Sequence, residues 1–157
     1  MTTEALNPEQ LSRQLRWNAM ELLARREHSR LELARKLRQR HADSDGQIEA
    51  VLDQLEADSL LSDTRFAEAY TSMRLRKGFG PARIEQELRE RGVSAEHIRD
   101  TLASADVDWF EQSRLVLKKK FSRPPTDAAA RAKCARYLQY RGFDYEQARY
   151  AIEGLAG

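Results

Sequence analysis

Apolar residues recur along the chain at intervals of three and four positions, which is the spacing of one buried face of an α-helix. Near the start of the chain this stripe is formed by Leu11, Leu15, Ala19, Leu22 and Leu23. The chain holds 21 Ala and 19 Leu but only 4 Val and 4 Ile, and no short stretch alternates β-branched with polar residues. Helix formers dominate, and we therefore predict an all-α protein without strands.

A second pattern repeats about every fifty residues. Three five-residue segments begin with Leu, carry Arg at the fourth position and end in Gly or His: residues 37–41, 88–92 and 138–142. Gly92 and Gly142 stand where a helix would stop, at a left-handed position that glycine occupies without strain. His41 takes that place in the first copy, which also carries one extra residue, so its turn is predicted to differ.

Each copy continues into another helix. Ser44, Ser94 and Asp144 lie at equivalent places and are residue types that cap helix N-termini. Apolar residues follow each cap at intervals of four: Ile48 and Leu52, Ile98 and Leu102, and Ala148 and Ile152. Each copy is therefore predicted to contain a helix, a short turn and a second, capped helix.

A further helix is predicted before each of these pairs. Segments 7–10 and 29–32 have the capping-box pattern of a helix start, and Gly80-Pro81 is expected to cap and begin a helix. The preceding helices should bury Phe66, Tyr70 and Met73 in the second copy, and Phe110 and Leu117, with the stem of Arg114, in the third.

These elements make about nine helices in three tandem three-helix repeats, which we predict at residues 7–60, 61–105 and 106–157. A repeat of this size cannot bury its apolar face alone, so stacked neighbours must complete the core. We expect an elongated, curved array whose joints lie near Asp106 and Pro124.

Charge is distributed unevenly, although the formal net charge is only +2. Residues 9–40 carry nine basic and four acidic side chains, and residues 43–70 carry eight acidic and one basic. Residues 114–141 carry nine basic side chains and a single acid, Asp127. Solvated helix faces would explain part of this layout, but it favours a polyelectrolyte partner or an acidic protein surface.

Residues for catalysis or metal binding do not cluster in the sequence. His28, His41 and His97 are scattered, and none forms a ligand pair with Cys134 or with an acid at helical spacing. Cys134 occupies a position that is apolar in the other two repeats, and we assign it to the core. We therefore predict no catalytic, metal or cofactor site, and a binding protein rather than an enzyme.

Membrane and secretion signals are not visible in the sequence. There is no secretory signal and no apolar run long enough to span a membrane, and a single cysteine cannot form an internal disulfide. We expect a monomer in the reducing cytoplasm.

The candidate contact residues are cations around one turn and along the third repeat. Gly78-Phe79-Gly80-Pro81 lacks the spacing of a phosphate-binding loop, and no strand precedes it, so we interpret it as a turn between helices. The candidates are Arg74, Arg76, Lys77, Arg83, Lys118, Lys119, Lys120, Arg123, Arg131 and Lys133. Solubilising charge is the alternative for any one of them, but together they form a basic surface suited to backbone phosphates.

Three segments of the middle repeat carry an unusual combination of motifs. They are Leu-Ser-Asp-Thr-Arg-Phe-Ala-Glu-Ala-Tyr at 61–70, Arg-Leu-Arg-Lys-Gly-Phe-Gly-Pro-Ala-Arg-Ile at 74–84 and Glu-Leu-Arg-Glu-Arg-Gly-Val at 87–93. This combination resembles the bacterial RecX family, regulators of the RecA recombinase. The resemblance covers roughly residues 15–152, including Arg141-Gly142-Phe143 in the third repeat.

The resemblance implies three tandem three-helix repeats that bind in the helical groove of the RecA–DNA filament. It further implies a mainly negative modulator, which limits filament growth and lowers RecA's ATP hydrolysis, strand exchange and stimulated repressor cleavage in the SOS response. The implied partners are the RecA filament and, weakly and without sequence specificity, single- and double-stranded DNA.

Other functions stay open on the sequence. The main alternative is a sequence-independent nucleic-acid-binding repeat protein that acts without RecA, and a second is an adaptor that binds only protein. A nuclease is the third, although no acidic metal cluster or nucleophile–base pair is visible. We hypothesise that the acidic stretch 43–63 meets basic protein surface and that the third repeat faces DNA or acidic protein surface.

Overall fold

The computed structural model describes residues 5–156, and every regular element in that range is an α-helix. These residues form nine helices: α1 Pro8–Arg25, α2 Arg30–Arg40, α3 Asp45–Ala57, α4 Asp63–Arg76, α5 Pro81–Glu90, α6 Ala95–Ser104, α7 Trp109–Lys120, α8 Ala128–Tyr140 and α9 Tyr145–Ala156. The predicted all-α fold is confirmed. Within the same range, none of the helices combines the length and the apolar character needed to cross a membrane.

The first two helices begin at the predicted capping boxes. The Asn7 side chain accepts a hydrogen bond from the Gln10 N–H at 2.8 Å, and the Gln10 side chain accepts one from the Asn7 N–H at 3.0 Å. Ser29 and Glu32 form the same reciprocal pair at the start of α2. Each box satisfies N–H groups that a helix start leaves without partners, and loss of such a cap costs about 1 kcal/mol.

The caps predicted for α3, α6 and α9 are correct in two cases out of three. Ser94 and Asp144 each accept a hydrogen bond from the backbone N–H three residues further on. Ser44 precedes α3 as predicted but makes no capping hydrogen bond, because its hydroxyl donates to the Ala42 carbonyl instead.

The chain packs as two compact units, which divide the middle repeat between them. Unit 1 extends to Ala67 and includes Arg91–Val93, and unit 2 comprises Glu68–Glu90 and the residues from Ser94 onward. In unit 1, helices α1, α2 and α3 pack around a core that includes Leu15, Leu33, Leu37, Ile48, Leu52 and Leu55. In unit 2, helices α7, α8 and α9 pack around Leu117, Cys134, Leu138, Phe143, Ala148 and Ala151.

In unit 1, the turn that follows α5 packs against the first residues of α2. The Ser29 hydroxyl donates a hydrogen bond to the Arg91 carbonyl at 2.7 Å. Gly92 has φ of +82°, and a Cβ at this position would lie 2.7 Å from the Cβ of Leu31. Backbone conformation and close approach therefore both require glycine at this turn, as the repeat pattern predicted.

In unit 2, the turn that follows α8 packs against the first residues of α5. The Gly80 N–H donates to the Arg141 carbonyl at 2.7 Å, and the Ala82 N–H donates to the Gly142 carbonyl at 3.0 Å. Gly142 has φ of +100°, and a Cβ on Gly80 would lie 2.5 Å from the Gly142 carbonyl carbon. The turn thus supplies acceptors for two N–H groups at the start of α5.

The first repeat has no glycine at the equivalent turn, and its backbone differs as predicted. His41 ends α2 with φ of −133°, and Asp43 takes the left-handed conformation with φ of 56°. The Nε2 atom of His41 lies 2.9 Å from the side-chain nitrogen of Asn18, a buried residue of α1. The left-handed position has therefore moved by two residues, within a turn that is one residue longer.

One predicted core residue of α7 needs correction. Phe110 is 43% exposed, and its ring packs edge-on against Tyr150 at a centroid distance of 5.6 Å. Ser113 is buried on this face instead, with its hydroxyl 2.9 Å from the Gln147 carbonyl of α9. Leu117 is buried as predicted and belongs to the core of unit 2, against which Trp109 packs in place of Phe110.

The predicted stripe of α4 is also only partly correct. Phe66 is buried, whereas Tyr70 and Met73 are partly exposed. The Tyr70 hydroxyl donates a hydrogen bond to the Glu87 carboxylate at 3.1 Å, which explains why this ring edge stays near the surface. Thr71 is buried in α4, and its hydroxyl has no hydrogen-bond partner within the described residues.

Candidate functional site

Arg74, the first of the candidate cations, is held in place by its own neighbours in unit 2. Its Nε and Nη2 atoms each donate to a Glu87 carboxylate oxygen at 2.7 Å. Its guanidinium also lies over the Phe79 ring, 3.8 Å from the ring centroid. A forked, stacked guanidinium of this kind is rigid, so Arg74 anchors the turn between α4 and α5.

Glu87 is the acid at the centre of this arrangement. Burial acts to raise the pKa of its carboxyl, but the hydrogen bonds from Arg74 and Tyr70 outweigh burial and hold that pKa below its ordinary value. A lowered pKa means that the contribution of Glu87 to stability is present above the ordinary pKa and is lost as the pH falls through the lowered one. The anchor is therefore intact at neutral pH.

The Phe79 ring is surrounded by guanidinium groups. Besides Arg74, Arg83 lies 4.5 Å and Arg141 lies 4.6 Å from the ring centroid. Arg141 donates to the Lys77 carbonyl at 2.6 Å, and Arg83 donates to the Tyr140 carbonyl at 3.1 Å. These contacts connect the glycine turn to α8 through charged groups stacked on one aromatic ring.

A groove of about 670 Å³ lies beside this cluster in unit 2. We call it the basic groove, and its lining residues are Leu75, Arg76, Lys77, Gly78, Phe79, Gln112, Leu115, Val116, Lys119, Lys120, Tyr137 and Arg141. Five of these side chains are cationic, and within the described residues no acidic side chain lines the groove. The fold thus brings together four of the predicted cations, Arg76, Lys77, Lys119 and Lys120, although the two pairs lie far apart in the sequence.

The remaining candidates lie outside the basic groove. Lys118, Arg123, Arg131 and Lys133 are all exposed. Arg131 lines a different surface pocket, between α8 and α9, with Tyr145 among its other lining residues. Within residues 5–156, the structure shows no salt bridge to any of these four cations.

Charges in unit 1 are arranged differently, because much of the acidic stretch is paired. Arg30 lies 2.6 Å from Glu49, 2.8 Å from Asp53 and 2.7 Å from Glu56. Burial alone would lower the pKa of the Arg30 guanidinium, but its hydrogen bonds to these three carboxylates raise that pKa. Arg16 pairs with Asp58 at 3.0 Å in the same way. The acidic stretch therefore presents less unpaired charge than its composition predicts.

Sequence reasoning missed four residues of this site. Glu87, Phe79 and Tyr137 were not among the candidates, and neither was Arg141, which lies 64 residues from the carbonyl that it contacts. The available signal was the repeat itself, because Arg141 belongs to the same segment that ends in Gly142. What the sequence could not supply was the packing of that segment against the glycine turn.

Metal ligands do not cluster in the part of the chain that the structure describes, where no group of three His, Cys, Asp or Glu side chains could hold an ion. Cys134 is a free, buried thiol, as assigned. Burial raises the pKa of this thiol, so at neutral pH it stays protonated and poorly reactive.

Three family models match the chain in sequence order. They describe the first, second and third three-helix domains of RecX, and they match residues 18–55, 62–102 and 106–152. Each match covers all or part of three of the nine helices, in agreement with the prediction of three tandem three-helix repeats.

Two curated relatives match over most of their length. Regulatory protein RecX of Pseudomonas fluorescens strain Pf-5 is 47% identical over 141 residues, which are 89% of this chain and 90% of the relative. Regulatory protein RecX of Pseudomonas syringae pv. tomato is 44% identical over 144 residues, or 91% and 92% of the two chains. Among solved structures, RecX from Lactobacillus salivarius superposes with a TM-score of 0.77 at 22% identity, covering 93% of this chain and 97% of that one.

Proposed function

Because the chain belongs to the RecX family, we propose that it is a cytoplasmic, mainly negative modulator of the RecA recombinase. It binds in the groove of the RecA–DNA filament as a monomer and limits filament growth. Lower ATP hydrolysis, strand exchange and SOS co-protease activity follow from a shorter filament. The observation that carries this proposal is the presence of all three RecX three-helix domains, in order, over almost the whole chain.

Exposed cations give the proposal a physical route to the DNA of the filament. Lys118, Arg123, Arg131 and Lys133 lie in unit 2 without salt bridges among the described residues, so they can contact phosphates without first breaking internal ion pairs. Such contacts are independent of sequence and weaken with salt. They match weak binding to both single- and double-stranded DNA.

The test is RecA's single-stranded-DNA-dependent ATP hydrolysis, with this protein titrated upward from about one molecule per hundred RecA protomers. Strong inhibition well below equimolar amounts is expected, because one bound molecule that stops growth affects many protomers. If inhibition appears only when the protein coats the DNA, simple competition explains it, and the alternative of a nucleic-acid-binding protein that acts without RecA is favoured.

A pair of variants with equal charge change tests the DNA contacts. The first variant combines Lys118→Glu, Arg123→Glu and Lys133→Glu, all exposed in unit 2. The control combines Arg13→Glu, Arg25→Glu and Arg35→Glu, which are exposed in unit 1. We expect DNA binding to fall at least tenfold for the first variant and much less for the control. Equal losses would mean that net charge alone governs binding.

A further inference from the structure

We propose that the basic groove binds an acidic peptide segment that inserts one apolar side chain between the groove cations. All residues that line the groove belong to unit 2. The inference concerns a binding site for a further partner and does not rest on regulation of RecA. The partner is defined by its chemistry: an extended or flexible segment rich in Asp and Glu, with one exposed Leu, Ile, Met or Phe.

Part of the groove lining is apolar and accessible. Leu115 of α7 is 49% exposed, although it lies among lining residues that include Leu75 and Val116. A half-exposed leucine that lines a groove is stabilised when another apolar group covers it, by roughly 25 cal/mol per Å² of buried area. The groove volume of about 670 Å³ is within the range of sites that enclose a ligand of several side chains.

Cations near the ends of two helices line the same groove. Arg76 is the last residue of α4 and Lys77 follows it, and Lys119 and Lys120 end α7. None of these four has a salt bridge to a described residue. Four cations without acidic partners in one groove repel one another, and acidic side chains on either side of an apolar anchor would relieve that repulsion.

The aromatic rings favour a peptide over a nucleic acid strand. A strand bound in a basic groove commonly stacks its bases on open aromatic faces. The Phe79 ring already has three guanidinium groups within 4.6 Å of its centroid. Tyr137 packs against Phe121, with centroids 5.7 Å apart, and Arg141 lies over its ring. Leu115 is the exposed apolar side chain of the groove, whereas the two rings are only partly exposed, and this suits an apolar side chain better than a base.

Fluorescence anisotropy on the full chain, without RecA or DNA, tests the proposal. The probe is a labelled peptide of about ten residues, rich in Asp and Glu, with one central Phe. Two reference probes accompany it: the same peptide with Ser in place of Phe, and a labelled oligothymidine of similar charge. We expect the anchored peptide to bind at least tenfold more tightly than the anchor-free peptide. Equal binding of the two peptides would overturn the proposal.

Matched variants locate the binding. Lys119→Glu with Lys120→Glu changes two groove cations, and Lys118→Glu with Arg123→Glu makes the same charge change outside the groove. The first pair should weaken the anchored peptide at least tenfold and the second pair less than about threefold. Circular dichroism checks that both stay folded, and equal weakening by the two pairs would show that the peptide recognises overall charge.

The variant Leu115→Ser distinguishes binding of a peptide from binding of a nucleic acid. Because this side chain is half exposed, the substitution should leave the helix content unchanged while it weakens the anchored peptide at least fivefold. Binding of the oligothymidine should not change. If Leu115→Ser weakened the oligothymidine as much as the peptide, the groove would be a nucleic acid site and the proposal would be wrong. The RecA assay has a separate readout, so either proposal can fail alone.

Discussion

Arg74 and Lys119 show how neighbours decide what a cation does. Both were candidates for partner binding, yet Arg74 is held by Glu87 and by the Phe79 ring, whereas Lys119 lines an open groove. A charged residue that is already forked and stacked cannot turn towards a partner without losing those contacts. Whether a polar group has a partner within the protein also decides which single substitutions change the stability.

Thr71→Val should stabilise the protein. Thr71 is 2% exposed, and its hydroxyl has no hydrogen-bond partner in the described residues, so the folded state loses the hydration of this group without replacement. Valine has nearly the same shape and no hydroxyl. We expect the free energy of unfolding to rise by about 1 kcal/mol, measured by urea denaturation.

Thr64→Val is the matched control, because Thr64 is exposed in the same helix α4. It should change the free energy of unfolding by less than about 0.5 kcal/mol. If Thr71→Val instead lowered stability by as much as a lost hydrogen bond, the hydroxyl would have a partner in solution, such as a water molecule.

His28 should make stability depend on pH near neutrality. The ring is 1% exposed, with Nδ1 3.1 Å from the Arg26 carbonyl and Nε2 2.9 Å from the Lys36 ammonium. A neutral ring with its proton on Nδ1 satisfies both contacts. Burial is the largest effect and lowers the pKa of His28, although the hydrogen bond to the Arg26 carbonyl opposes it.

The sign of this dependence follows from the lowered pKa. The unfolded chain takes up a proton near pH 6.5 and the folded protein only at lower pH, so stability is complete above about 6.5 and falls as the pH decreases from there. His28→Gln should reduce the loss of stability between pH 7.5 and 5.5, measured by urea denaturation at each pH. His97→Gln, at an exposed position of α6, should retain the full loss.

At the scale of helices and turns, local chemistry made the fold largely predictable. Capping boxes, the apolar stripe of α1 and the repeated glycines each depend on residues close in sequence, and the structure places them as expected. The predicted burial of Phe110 and the predicted capping hydrogen bond of Ser44 were wrong for a shared reason. Both depend on how side chains pack in the folded protein, which residues close in sequence do not determine. The basic groove could not be predicted because α4, α7 and α8 contribute to it together.

Substitution of glycine by alanine should have opposite effects on the free energy of unfolding at Gly80 and at Gly46. A Cβ on Gly80 would lie 2.5 Å from the backbone of Gly142, so Gly80→Ala must push the turn after α8 away from α5. We expect a loss of about 1–3 kcal/mol in the free energy of unfolding. Gly46 is the second residue of α3, with no neighbouring atom within 4 Å of an added Cβ, so Gly46→Ala should stabilise by about 0.5–1 kcal/mol.

Thermal and urea denaturation of the two glycine variants check this prediction. Their opposite signs serve as controls for each other, since both change one glycine to alanine. A stabilising effect of Gly80→Ala would mean that the contact between the turn and α5 is looser in solution than in the structure.

At the scale of the whole molecule, the two basic segments of the sequence differ in how many of their cations pair with acidic side chains. In unit 1, Arg16 and Arg30 pair with acids of the following stretch, and Arg38 pairs with Asp45. In unit 2, the cations that follow Arg114 have few acids near them in sequence. The hypothesis that the acidic stretch meets a basic partner surface is therefore weakened, while the basic character of the third repeat stands.

This difference predicts how DNA affinity responds to salt. If Lys118, Arg123, Arg131 and Lys133 each contact one phosphate, the logarithm of the affinity for single-stranded DNA should fall with the logarithm of salt concentration with a slope of about −3. Lys118→Glu with Arg123→Glu should reduce the magnitude of the slope by about 1.4. Titrations between 50 and 200 mM salt measure it, and an unchanged slope would exclude these two residues as phosphate contacts.

The hydrogen bonds that Gly80 and Ala82 donate to the turn after α8 determine where the protein can be truncated. The sequence periodicity suggests that the chain could be truncated after residue 105, at the predicted end of the second repeat. Such a truncation would remove the carbonyls of Arg141 and Gly142 and leave the first turn of α5 open to solvent. Laboratory subcloning and evolutionary loss of the last repeat therefore meet the same obstacle, because the start of α5 needs backbone acceptors from the repeat that follows.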